Sequence, residues 1–205
     1  MEKIVTMLHV QCTQDQTESI QQQIIDLLRT QVIAEGFVET ATDATSVDRV
    51  IRIGAPLDAG WIPIDVSLTR SFGSEALQIC GQGISRALMT NVIVAFVFEY
   101  DLLELWLYCA GNLVDHYASD PSEVSPSLPR RRWKEIKGNA EAWADVLLPD
   151  GDSTALKKLF RTRPIAADDA FAAIAAQLGF NPQHWNGLTD TDTIIPLKFR
   201  ATYVP

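Results

Sequence analysis

Cysteine and histidine are both scarce in this 205-residue chain, three of each, and neither is spaced for metal chemistry. Cys12, Cys80 and Cys109 form an odd set with no CxxC pair, and each lies in an apolar run, so the sequence reads as free buried thiols in a reducing compartment rather than a disulfide framework. His9, His116 and His184 lie far apart, and no GxSxG, HExxH or DxDxDG pattern is present. No metal and no cofactor are expected. Long apolar runs are missing too: nothing approaches the roughly 18 residues of a membrane span, and MEKIVTMLHVQCTQDQ has too short an apolar stretch for a signal peptide. A cytoplasmic protein with no membrane contact is the expectation.

Positive charge is the remaining shortage. The formal net charge is -9, which argues against nucleic-acid binding because phosphates call for a basic face. Up to Asp120 the chain has six Lys/Arg against 16 Asp/Glu, a net -10; the remainder has 11 against 10, a net +1. The excess keeps the protein soluble, and it also makes a field that attracts a basic partner.

What is present is a core-forming pattern, since 47% of the residues are hydrophobic. KIVTMLHVQC reads as a strand and SIQQQIIDLLRTQVIAEG as an amphipathic helix, with Asp15 and Glu18 at its start and Gly36 at its stop. VDRVIRIG and WIPIDVSL read as strands, the second placed at a sheet edge because Pro63 cannot donate to a ladder. SEALQICGQGISRAL follows the Ser71–Ser74 turn as a helix whose stripe is Leu77, Cys80, Gly81, Ile84 and Leu88. NVIVAFVFEY has the continuous apolar pattern of a strand covered on both faces. The fold class is therefore α+β, a mixed or antiparallel sheet with helices packed on one side and a smaller, mostly helical C-terminal part. Residues 1–120 form the sheet domain, 121–137 a linker with a basic cluster, and 138–205 the helical part, from GNAEAWADVLL through STALKKLF and ADDAFAAIAAQLG to the extended TIIPLKFRATYV.

LELWLYCAGNLVDHYASDP reads as a hairpin of Leu103–Cys109 and Leu113–Tyr117 joined through Gly111-Asn112. In that register Cys109 and His116 share the core face, roughly 7–8 Å apart, while Asp115 points away from its neighbour His116, so a triad is not assembled. The other face holds Glu104, Trp106, Tyr108, Asp115 and Tyr117, an acidic and aromatic stripe that either lies under the second part of the chain or recognises Lys- or Arg-rich surfaces. A bulge in either strand would change this parity. PRRRWKEIK, residues 129–137, is the one basic cluster, expected to neutralise the acidic first part within the molecule. Gly81 and Gly83 fall inside a helix, so SFGSEALQICGQGISR is a poor nucleotide fingerprint, and Asp168 and Asp169 read as helix-start charges.

The spacing of DLLELWLYCAGNLVDHYASDP, then GNAEAWADVLL, ALKKLF and ADDAFAAIAAQLGF, resembles uncharacterised bacterial cytosolic proteins over roughly the last half of the chain. The resemblance implies a bacterial, intracellular setting and transfers no activity or catalytic residue. The functional expectation is a non-enzymatic interaction module for a basic partner, an immunity-type neutraliser of a toxin being one form. The alternative is a small-molecule enzyme or ligand-binding domain, its pocket between sheet and helical part, with Cys109 and His116 or the Ser71–Ser74 turn at the edge.

Overall fold

The computed structural model describes residues 4–13, 17–34, 37–40, 48–57, 59–67, 74–98, 101–124, 129–162, 166–180 and 193–199. Asp15, Gly36, Ser71 to Gly73 and His184 lie outside them. Eight described strands form one sheet: β1 (Ile4–Gln11), β2 (Phe37–Glu39), β3 (Arg49–Ile53), β4 (Trp61–Ser67), β5 (Asn91–Phe98), β6 (Leu102–Cys109), β7 (Asn112–Ala118) and β8 (Thr193–Phe199). Their order is β2-β8-β3-β4-β1-β5-β6-β7, and each pairing is antiparallel. The α+β class read from the sequence is the one observed.

Period-2 alternation sends two sets of side chains to opposite faces. Leu8, Val10, Ile62, Ile64, Val92 and Val94 meet α1 (Thr17–Ala34) and α2 (Ser74–Leu88), whose buried stripes include Ile24 and Leu28, and Leu77, Cys80 and Ile84. Gly81 lets α2 lie close on the sheet, because a Cβ there would stand 2.3 Å from the Val94 Cγ2. On the other face Met7, Trp61, Ile93, Ala95, Val97 and Leu105 are covered by the C-terminal part. That part contributes a 3₁₀ segment (Ala140–Val146), α4 (Ser153–Arg161) and α5 (Ala167–Leu178), with short α3 (Pro121–Val124) and a 3₁₀ turn (Arg130–Glu135) before them. Asn139 and Asp152 accept backbone N–H bonds as caps of the 3₁₀ segment and α4, and α5 carries Asp168 and Asp169 in its first turn and ends on Gly179 at φ +78°.

Three expectations change. Pro63 lies in an interior strand, opposite His9 of β1. It is tolerated because β3 is ending there: the Pro63 carbonyl still accepts from the Gly54 N–H, and the Gly54 carbonyl that a non-proline residue would have served accepts from the Gln21 side chain at 3.3 Å instead. The end of the segment read as a linker joins the sheet, since Tyr117 bridges Lys137 and the Ala118 N–H donates to the Ile136 carbonyl. Pairing with the acidic first part was expected of the basic cluster; among the described residues its ion pair and ring contact are local, Arg132 with Glu135 at 2.8 Å and Arg130 over the Trp133 ring. No described helix is long and apolar enough to cross a membrane.

Candidate functional site

The hairpin of β6 and β7 carries the polar residues singled out in the sequence, and its turn sets their placement. The turn is Ala110-Gly111, with φ +47° and +81°, closing on the pair Cys109 and Asn112. Two successive positive φ values are those of the primed two-residue turn that suits strand twist. The turn is fastened to α2: the Gly111 N–H donates to Ser85 Oγ at 3.0 Å, and the Gln82 side chain donates to the Gly111 carbonyl at 2.9 Å.

Beyond the turn the register shifts between Leu107 and Tyr108, so Tyr108 opposes Leu113 while Leu107 opposes Asp115. Val114 is the extra residue of this bulge, and the parity of β7 reverses past it. His116 consequently opposes Trp106, not Leu107, and lies on the α2 face. Its Nε2 is 3.0 Å from Glu104 Oε2, and its ring stacks on Trp106 with centroids 5.0 Å apart. Glu104 is buried, so this contact supplies a partner for a carboxylate removed from water. Cys109 is exposed rather than buried, and does not face His116. The expected shared core face for that pair is therefore corrected.

The acidic and aromatic stripe divides in the same way. Glu104, Trp106 and Tyr108 stay together facing α2, whereas Asp115 and Tyr117 face the C-terminal part. Four of the five are at most 5% exposed, so the stripe is covered. Asp115 Oδ2 accepts from the Trp143 Nε1–H at 2.6 Å and from the Asn139 N–H at 2.7 Å, two charge-assisted bonds that fix the helical part to the hairpin. Tyr117 stacks on Phe160 at 4.5 Å, and burial pushes its phenol up to about 12. Burial likewise raises the Tyr108 phenol.

The chain matches no protein-family model, no curated protein and no solved structure. Function therefore has to be read from the geometry alone.

Between sheet and helical part, where a pocket was expected, the described residues pack a layer of rings: Trp61, Trp143, Phe160, Phe171 and Phe180 lie with Ile174 and Leu178. Trp61 Nε1–H donates to the Leu178 carbonyl at 2.8 Å, and His9 stacks on Phe180 at 4.0 Å. Among the described residues no group of three or more His, Cys, Asp or Glu side chains could hold a metal ion. The Glu104 carboxylate orients the His116 imidazole, and Trp106 covers one face of its ring, an arrangement that fixes the hairpin against its own strands. The thiol that could have acted with that imidazole points away from it.

The surface of the same hairpin is different. Strand β7 ends the sheet order, and the 136–138 segment pairs with its later half through the Ala118 N–H and His116 carbonyl. Its first half, Asn112 to Val114, is exposed, and Leu113 and Val114 remain 53% and 42% accessible. Sequence reasoning missed this surface because the bulge is not visible in composition. The apolar Leu113-Val114 pair next to a turn was its only trace.

Proposed function

We propose that this is a non-enzymatic, cytoplasmic interaction module that takes an extended segment of a basic protein against the early half of β7, an immunity-type neutraliser being one form. The observation that carries the reading is an edge strand whose later half is capped by its own chain, while no described residue pairs with the outer side of its first half, where Leu113 and Val114 are exposed. Such an edge offers backbone donors and acceptors to an added strand. The net charge of -10 up to Asp120 supports a basic occupant by drawing it in and by disfavouring a second acidic copy. The ring-filled layer between sheet and helices supports binding at the surface over turnover in that layer.

Leu113→Lys combined with Val114→Lys tests it, because both side chains are exposed and the new charges repel a basic strand while the fold is retained. The wild-type protein should retain a basic protein from the host lysate at low salt and release it at high salt. The double variant, shown folded by its circular dichroism, should lose that protein. Equal retention by the variant rejects the β7 edge, and failure to retain any basic protein rejects the reading as a whole.

A further inference from the structure

Beside the capped later half of β7, and apart from its exposed first half, the loop before the 3₁₀ segment and the exposed side of α4 enclose a cavity of about 150 Å³, lined by Gly138, Asn139, Ala140, Lys157, Phe160 and Arg161. Lys157 and Arg161 are one helical turn apart, so their cationic ends reach the same side of α4. The Phe160 ring between them is held by its stack on Tyr117 and its edge contact with Trp143 at 5.7 Å, which gives the cavity a rigid floor. The opposite wall is fixed by the two donor bonds into Asp115 and by the Asn139 side chain, whose Oδ1 accepts from the Glu141 N–H at 3.3 Å.

The lining of this cavity holds two cations and no carboxylate. Asp115 lies behind the wall with its carboxylate engaged by two N–H donors. Glu141, largely exposed and not part of the lining, reaches Lys157 only at 3.8 Å, a loose intramolecular contact. Among the described residues Arg161 has no carboxylate partner. A planar guanidinium open to a small polar cavity, with an ammonium one turn away, matches the two-point recognition of a tetrahedral oxyanion.

We propose that the cavity between Gly138–Ala140 and α4 is a binding site for the phosphate group of a small phosphorylated molecule, with Arg161 and Lys157 as its cationic ligands and Glu141 as an internal competitor. The site is independent of the strand-edge reading and stands or falls separately.

Titration of the full chain with inorganic phosphate, followed by amide and side-chain ¹⁵N shifts, tests it, with chloride at matched ionic strength as the control. Saturable shifts are expected at Gly138, Asn139 and Arg161 in the millimolar range. Arg161→Gln and Lys157→Gln should each weaken binding by about tenfold, whereas Glu141→Gln should tighten it several-fold. All three side chains are exposed, so the variants keep the fold. Chloride reproducing the shifts, or equal affinity in wild type and Arg161→Gln, would overturn the assignment. Glycerol phosphate binding more tightly than inorganic phosphate would place an organic ester in the site; the reverse order would make free phosphate the ligand.

Discussion

On the α1 and α2 face the central strands β4 and β5 present aliphatic side chains to aliphatic helix stripes, Ile62, Ile64, Val92 and Val94 against Ile24, Leu28, Leu77 and Ile84, with Trp106 and Tyr108 joining at β6. On the opposite face the contacts are aromatic, and polar tips hold them in place: Trp61 to the Leu178 carbonyl, Trp143 to Asp115. The first face is filled by helices close in sequence to the strands they cover; the second joins residues 117 positions apart. Aliphatic packing tolerates small adjustments, whereas an indole N–H buried in a core requires one acceptor in one place. The aromatic face should therefore be less forgiving of substitution, and the hairpin, which has a polar contact on each face, should feel both.

Trp143→Ala is expected to have the largest effect, a loss of about 3–5 kcal/mol in urea unfolding, since it opens a ring-sized cavity and removes a donor from Asp115. Glu104→Ala should follow at about 1.5–3 kcal/mol, the range for a hydrogen bond to a charged group, because His116 loses its carboxylate. A Glu104→Ala protein as stable as wild type would show that the pair contributes nothing net. Ile84→Val on the aliphatic face should cost only about 0.5–1.5 kcal/mol. If Ile84→Val costs as much as Trp143→Ala, the contrast between the faces fails.

The smallest effect at neutral pH belongs to Tyr117. Its folded pKa of about 12 lies above the ordinary 10.0, so between those values the unfolded chain releases a proton that the folded chain retains. The stabilisation is full below pH ~10 and is lost as pH rises through that window, with a limiting slope of ~1.4 kcal/mol per pH unit for one group. Tyr117→Phe should flatten the decline in urea stability between pH 9 and pH 11. The raised Tyr108 phenol acts in the same direction and remains in that variant. An unchanged slope would show that Tyr117 is not buried.

Much of this architecture was legible in the sequence. The α2 stripe and the doubly covered β5 follow from local periodicity, which survives in a single sequence. The hairpin was legible only in outline. Reading the turn as Gly111-Asn112 instead of Ala110-Gly111 shifts the pairing by two residues and leaves the faces unchanged; the unseen Val114 bulge is what moved His116 to the wrong face, because a one-residue slip exchanges the two sides of a strand. Positive φ at Ala110 is a conformation that its residue type does not announce. Pro63 was misplaced for a related reason: its missing donor is compensated by Gln21, 42 positions away along the chain, and such a contact has no local signature. The cationic pair on α4 was readable as an i, i+4 spacing, but the cavity beside it depends on a loop docked from elsewhere.

The position of β8 bears on how the chain is made. Strand β2 joins the sheet through β8, and β3 has β8 as its second neighbour, yet β8 spans Thr193–Phe199. While a ribosome is still extending the nascent chain, β3 presents an unpaired edge rich in Val and Ile, and β2 has no strand to join. At typical elongation rates of about 5–20 residues per second, the stretch from β3 to β8 takes on the order of 10 s to emerge. For that interval the growing polypeptide carries an exposed strand edge of the kind that chaperones shield and that neighbouring chains on a polysome can capture.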